Sequence, residues 1–492
     1  MKGLIDIEAT IARLEREGDL LRIDRQADPD LELAAVARAT DMGPVALFGN
    51  VKGYPGRRVI SNIFGSRARI ARWCGVAPEY LPRFLADASK SPLRPVEIGD
   101  GAPAQEVVLT GDAVDLLGEI PVLKQTEEGA GPVITGGLIL ARDPETGEFN
   151  GSYHRMRVVG RDSTSMAIQA GRHLLEIVRK FRKAGRTRVP ITVNVGAGPA
   201  TLLACSGSTQ QTLTPLGYDE LGFAGALQSE AVRFVAARTQ PGAYALADGE
   251  LVLEGYLDTE QLVSEEESGQ DGLKPMMPEA GGYMGRAWRV WEFKVTAITH
   301  RRNYVYWAPL AINAETVNLM GMPAEASVFD ACRRINPRLF DTCYALPGMR
   351  GCFGIVLRIT RKSYRDEGAQ TNLIFGALSA HSDMGWVVVV DEDIDLMNAD
   401  EVLWAMITRT DVGRDIMVTP RAKVSGMLSE GDATGTAQKI AFDATAGFRS
   451  RERYARGKFL PVELQGWLSE ADRARVHGAQ SDYLRSLLSR GL

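Results

Sequence analysis

The sequence predicts an α/β (α+β) protein built in successive sections, and three observations carry that prediction. Helical and strand-like periods alternate over residues 1–107. Strand-like runs then dominate residues 108–322, where only two convincing helices interrupt them. Alternation returns over 323–460, ahead of an amphipathic helical tail at 461–492.

In the first section, residues 6–18 carry apolar side chains at helical spacing, while 45–48 and 59–63 read as short strands around the turn Gly53-Tyr54-Pro55-Gly56. In the middle section, strands are expected at 133–140, 153–159, 191–195, 251–256, 293–298 and 304–307, with helices near 173–184 and 219–237. Many strands with few helices imply a barrel or a folded-over sheet. The stretch 263–278 holds Glu265-Glu266-Glu267, Gly, Asp and two Pro, and reads as a mobile loop. After Pro323, a helix over 325–334 leads to strands at 353–359 and 386–390 and helices near 368–380 and 399–408. The tail is expected to pack on a partner subunit or back on this last section.

Bulk properties exclude several classes. A chain of 492 residues exceeds what one core serves, so two or three domains are expected. With 45% apolar and 24% charged residues, the chain is globular rather than disordered. Net charge is −5 with Lys and Arg scattered, which gives no nucleic-acid surface. The longest apolar runs, such as 386–390, are strand-sized, so no membrane span is expected. The first residues read as an amphipathic helix rather than a secretory signal. Five scattered cysteines fit reduced, small buried hydrophobes in a cytoplasm.

There are five histidines. His300, His381 and His477 show no carboxylate or cysteine at ligand spacing and are expected at the surface or at caps. His154 and His173 lie in richer segments, Asn150-Gly151-Ser152-Tyr153-His154-Arg155 and Gly171-Arg172-His173. A Gly-rich entry to a helix suits an anion, because free amides and the helix dipole point there. A solvated turn before an ordinary helix fits the same residues. In Asp219-Glu220, the aspartate is an N-cap and the glutamate sits in the first turn, where acidic residues commonly just complement the dipole. An Asn, His and Glu set would suit Mn²⁺ or Mg²⁺ touching a phosphate. Finally, Glu279 follows Met276-Met277-Pro278 and could be a desolvated proton donor or a plain turn residue. These residues allow an anion and a metal near an isolated carboxylate; they do not name a reaction.

Together the segments resemble the UbiD family of prenylated-FMN-dependent decarboxylases. The likeness runs through Pro44–Asn50, Lys52–Pro55, Asn62–Arg67, Asn150–Arg155, Gly171–His173, Asp219–Ala226, Val252–Gly255, Pro278-Glu279 with Gly282-Tyr283, Val390–Asp395, and Trp404-Ala405 with Thr408-Arg409. Gly131-Pro132-Val133 and Gly137–Pro144 most resemble the dihydroxybenzoate (protocatechuate-type) group. The resemblance implies a flavin-binding split β-barrel in the middle section and a C-terminal section that builds a homodimer or homohexamer. It implies that Asn150, His173 and Glu220 hold Mn²⁺ (or Mg²⁺), beside K⁺, at the cofactor phosphate. The same implication makes Gly151, Ser152, Tyr153, His154, Arg155 and Arg172 cofactor-binding. Arg155 then lies between cofactor and substrate carboxylate, and Glu279 is the catalytic acid. The implied reaction is reversible, non-oxidative decarboxylation of an aromatic, heteroaromatic or α,β-unsaturated acid through a covalent adduct with prenylated FMN. CO₂ is the product and a flavin prenyltransferase the cofactor supplier. A catalytically silent cofactor-binding or assembly subunit is the alternative.

Three positions depart from the family pattern. Lys274 stands where several members carry a second glutamate, five residues before the catalytic one. No histidine stands near Thr316, where the dihydroxybenzoate group uses one. Met384-Gly385-Trp386 replaces a stretch with a phosphate-contacting lysine, for which Arg172 or Lys439 could substitute.

Overall fold

Asp6 opens the first helix, Ile7–Glu17, by accepting a hydrogen bond from the Ala9 amide at 2.8 Å, and Gly18 closes it in the left-handed region. The computed structural model describes residues 1–207, 211–424, 435–460 and 462–490. Pro461, Gly491 and Leu492 of the expected tail lie outside them. The helix buries Ile7, Ile11 and Leu14 against a four-stranded sheet ordered Leu20–Ile23, Val45–Phe48, Arg58–Ser61 and Val305–Trp307. The fourth strand arrives from far along the chain and runs parallel to Arg58–Ser61. Fully buried Glu315 locks this join, accepting from the Asn62 amide at 2.8 Å, the Phe64 amide at 3.2 Å and Trp307 Nε1 at 3.1 Å.

The middle section is a nine-stranded sheet whose long central strands are Leu251–Ser264 and Arg289–His300. It does not close among the described residues: Val133–Ile134 and Phe149–Tyr153 are its two ends. Two expected strands are each broken in two. The run 133–140 breaks before Gly137–Arg142, because Gly136 lies so close to Trp307 that a side chain there would meet the Trp307 carbonyl at 2.5 Å. The run 153–159 divides into Phe149–Tyr153 and Met156–Gly160, leaving His154 and Arg155 out of the ladder.

The expected helix over 219–237 is also shorter. It spans Glu220–Gln228 and ends at Ser229 with φ 61°, after which Arg233–Ala236 forms a strand between Val96–Glu97 and Tyr244–Leu246. Gly222 and Gly225 let the helix lie against Pro92 and Leu93, and the Phe-Val pair that follows suits a pleated surface.

The helix expected at 325–334 starts much earlier, at Ala314–Ile335, with Pro323 in its interior. Proline cannot donate to the carbonyl four residues back. The Ser206 hydroxyl supplies a donor instead, 2.7 Å from Leu319 O and 2.7 Å from Leu203 O, sharing its proton between them. Ser206→Ala is therefore expected to cost about 1–3 kcal/mol, read as a lowered urea midpoint at unchanged slope.

The last sheet has five strands, ordered Phe340–Tyr344, Gly354–Ile359, Trp386–Asp391, Ile440–Asp443 and Ile416–Val418. Helices Ala369–Ala380 and Ala399–Arg409 accompany it close to where they were expected. The tail forms Glu470–Ala479 and Asp482–Ser489, neither burying a residue. It returns to this section through Ser486 at 3.3 Å from Asp395 and an Arg490–Glu401 ion pair. No helix among the described residues is long and apolar enough to cross a membrane.

Other expectations are corrected. The stretch 263–278 is not a free loop: it finishes one strand, forms another at Pro275–Pro278, and buries Glu265 and Glu266. His300 is buried rather than at the surface or a cap, whereas His381, also buried, does cap the helix Ala369–Ala380 and His477 is exposed as expected. His381 does have neighbours of ligand type, since Cys352 and Asp383 fold beside it. Burial pushes the His381 imidazole down to about 4, so it is neutral. Four cysteines are buried and Cys74 half-buried, all as free thiols.

Candidate active site

Three elements bring Asn150, His173 and Glu220 together. The end strand Phe149–Tyr153 carries Asn150 and runs so close to Cys205 that any side chain at Gly151 would collide with the sulfur. Gly171, at φ 87°, turns the chain so that His173 becomes the first residue of helix His173–Lys183, with Arg172 at its cap position. Asp219 caps the third element, accepting from the Leu221 amide at 2.9 Å and the Gly222 amide at 3.1 Å, and Glu220 opens that helix. Asn150 Nδ2 lies 3.2 Å from Glu220 Oε1, His173 Nδ1 lies 3.6 Å from the same oxygen, and the Gly151 amide donates to Oε2 at 3.3 Å. Glu220 is fully buried, and desolvation pushes its carboxyl upward against the pull of His173.

A buried carboxylate beside an imidazole and an amide is a donor set of oxygen and nitrogen that fits Mn²⁺ or Mg²⁺. The amide's O and N are interchangeable by rotation, so Asn150 can turn its oxygen to a cation. His173 also lines a cavity of about 470 Å³ with Gly171, Gln211, Ser382 and Lys439. Lys439 is buried, its ammonium donating to Leu378 O at 3.1 Å and Ser382 O at 3.2 Å. It stands beside Gly385, whose carbonyl accepts from the Ile440 amide at 2.9 Å.

The rest of the 150–155 segment points elsewhere. Ser152 Oγ is 3.2 Å from His154 Nε2, and Tyr153 donates to Leu202 O at 3.2 Å. Burial, helped by the Arg172 charge, pushes His154 down to about 3, so its ring is neutral.

Arg155, freed from the ladder, meets two carboxylates. Its Nε lies 2.9 Å from Glu265 Oε1 and its Nη2 2.7 Å from Glu265 Oε2, a side-on fork. Nη2 also donates to Arg286 O at 2.7 Å, while Nη1 pairs with Glu279. Glu279 sits at the turn between Pro275–Pro278 and Met284–Arg286, its amide donating to Tyr283 O at 2.8 Å. Gly285 leaves room for the pair: a side chain there would stand 2.9 Å from Arg155 Nη1 and closer still to Glu279.

Glu279 is thus not the isolated carboxylate expected from its neighbours. Burial nevertheless outweighs Arg155 and holds the Glu279 carboxyl above its ordinary value. From the C-terminal section, Arg350 donates to Ala280 O at 2.7 Å and Ile312 O at 3.2 Å, fastening the same turn.

Three family models cover most of the chain, described as the N-terminal, Rift-related and C-terminal domains of 3-octaprenyl-4-hydroxybenzoate carboxy-lyase (UbiD), at residues 11–89, 96–313 and 317–444. The chain belongs to the UbiD family.

This UbiD carboxy-lyase is 30% identical to gallate decarboxylase of Lactiplantibacillus plantarum over 89% of its own length and 93% of the relative's. Its fold matches apo 3,4-dihydroxybenzoic acid decarboxylase of Klebsiella pneumoniae at 32% identity and TM-score 0.85, covering 94% of this chain and 99% of that one. It also matches HmfF, a UbiD-class enzyme of Pelotomaculum thermopropionicum in complex with FMN, at 31% identity and TM-score 0.84, covering 94% and 100%.

Around Glu279 in this UbiD protein, Met276 and Met277 are buried with Val133 and Ala287, whereas Tyr283 and Arg286 are exposed. Thr316 spends its hydroxyl on Leu310 O at 2.6 Å. Sequence reasoning missed Glu265 and Arg350. The run Glu265-Glu266-Glu267 read as part of a mobile loop, and only Glu267 of the three is exposed. No local pattern marks Arg350, whose partners are backbone carbonyls distant in sequence.

Proposed function

We propose that this UbiD-family enzyme decarboxylates an aromatic, heteroaromatic or α,β-unsaturated acid, with prenylated FMN as cofactor. The observation that carries the reading is the Arg155–Glu279 pair, a cation that can orient a carboxylate beside a carboxyl that burial keeps protonatable. Solved relatives of the same fold hold FMN or, in an evolved dimeric HmfF, prFMN, which supports the choice of cofactor and an oligomeric state. Prenylated FMN supplies, when bound, the electrophilic centre and electron sink that release of CO₂ from such a carbon requires.

The chain's own residues do the rest. Asn150, His173 and Glu220 hold Mn²⁺ or Mg²⁺ at the cofactor phosphate, with K⁺ beside it. Lys439, which lines the cavity beside His173, would add positive charge for that phosphate, with Arg172 at the helix N-terminus as the second candidate. Arg155 turns the substrate carboxylate toward the reacting face. Glu279 gives its proton to the carbon that CO₂ leaves.

Protein produced together with a flavin prenyltransferase is expected to carry a visible chromophore and to release CO₂ from members of a panel of aromatic, furan, pyrrole, indole and phenolic acids. Protein loaded with plain FMN alone is expected to release none. Equal turnover by the two preparations, or a loaded protein inert towards the whole panel, would sink the proposal.

A further inference from the structure

The parallel strands Gly354–Ile359 and Trp386–Asp391 start side by side, with Gly354 paired to Trp386. The residues just before them therefore meet. The Gly385 amide donates to Phe353 O at 3.0 Å, and Cys352 Sγ lies 3.9 Å from Asp383 Oδ2. His381, at the cap of the helix Ala369–Ala380, completes the group, its Nδ1 accepting from the Asp383 amide at 3.2 Å. Sulfur, ring nitrogen and carboxylate oxygen all lie within 4.8 Å of one another, and all three residues are buried.

The carboxylate is the informative member. Among the described residues it accepts from Ser382 Oγ at 3.3 Å and from the Cys352 thiol, both neutral donors. Lys439 is within Coulombic reach but spends its ammonium on the Leu378 and Ser382 carbonyls. A buried carboxylate met by neutral groups is costly, and a bound cation would remove that cost.

We propose that Cys352, His381 and Asp383 form a second metal site, separate from Asn150, His173 and Glu220, that takes a thiophilic divalent ion of the Zn²⁺ class. A thiolate, an imidazole and a carboxylate select Zn²⁺ over Mn²⁺ or Mg²⁺, which prefer oxygen. Bonds of about 2.0–2.3 Å at tetrahedral angles set ligand atoms roughly 3.5 Å apart, so small side-chain rotations close the site. The ion releases the thiol proton to solvent and takes the His381 lone pair from the Asp383 amide. Two anionic ligands then balance its two charges, and the buried centre is neutral. Three protein ligands leave a fourth position to water. Ser382, between two of the ligands, lines the cavity beside His173, so the ion fixes part of that wall. The site stands independently of the reaction proposed above.

The test uses the full chain, stripped by a chelator, supplied with excess Mn²⁺ and titrated with Co²⁺ as an optical stand-in for Zn²⁺. One Co²⁺ per chain is expected to enter with a sulfur-to-cobalt charge-transfer band, which Zn²⁺ then bleaches. Cys352→Ser should abolish the band, and Asp383→Asn should weaken binding at least roughly tenfold. The band should survive His173→Ala, which empties the first site. It should also survive Cys205→Ser, whose sulfur lies against Gly151 beside that first site.

Wild-type protein without the band overturns the proposal, as does a band that persists in Cys352→Ser or vanishes in Cys205→Ser. X-ray absorption of the Zn²⁺-loaded wild type decides without any variant. One sulfur among nitrogen and oxygen ligands is expected, and a shell with no sulfur refutes the site.

Discussion

Glu279→Gln is expected to lower turnover by at least about a hundredfold, the usual scale for loss of a general acid. Glutamine keeps the size of the side chain and an acceptor for Arg155, but carries no transferable proton. The flavin should remain bound, because Glu279 touches none of Asn150, His173 or Glu220 among its hydrogen bonds and ion pairs. Deuterium from solvent should enter the product carbon more slowly, in step with turnover. The pH dependence has a defined sign. The donor must be protonated, and burial raises its carboxyl, so wild-type activity should fall as pH rises through that raised value. A Gln variant with near-normal decarboxylation and deuteration would move the acid elsewhere, with Lys274 or Asp271 the next residues to test.

His173→Ala should remove metal and flavin together. The fully buried Glu220 meets the His173 ring, the Asn150 amide and the Gly151 amide. Without the imidazole the cation loses one of its proposed ligands, and a phosphate entering the cavity would meet an unneutralised carboxylate. Elemental analysis and flavin absorbance on the same preparation should show both occupancies falling roughly tenfold or more, in proportion. Flavin at full occupancy in metal-free protein would refute the coupling.

The sequence was readable where periodicity is local. The helix Ile7–Glu17 and the strand Val45–Phe48 lie within a residue of expectation, because cap chemistry and short apolar runs act over a few positions. Reading failed where tertiary contacts override local preference. Pro323 looked like a helix boundary, yet a hydroxyl far away in sequence meets the carbonyl it leaves free. The run 153–159 looked like one strand, yet the chain leaves the ladder at His154 and Arg155, where the arginine meets its carboxylates. Glu279 was legible as a residue with few polar neighbours in sequence, but its principal partner, Arg155, is 124 positions away. Spacing alone could not tell a buried Glu265 from an exposed Glu267, because a strand end and a turn alternate faces only once the strand is placed.

The strand Val305–Trp307 sets a timetable for synthesis. Its partner Arg58–Ser61 leaves the ribosome roughly 240 residues earlier, which at about 5–20 residues per second means waiting some tens of seconds. For that interval the growing chain presents a row of unpaired amides and carbonyls, the kind of edge that recruits strands from other chains. The lock formed by Glu315 is not yet made either, so nothing from the later chain fastens Asn62 and Phe64. The opening section therefore completes its own sheet only after most of the middle section has been made. Crowded translation would tax it first, and a fragment ending before the fourth strand would leave the ribosome with its edge permanently bare.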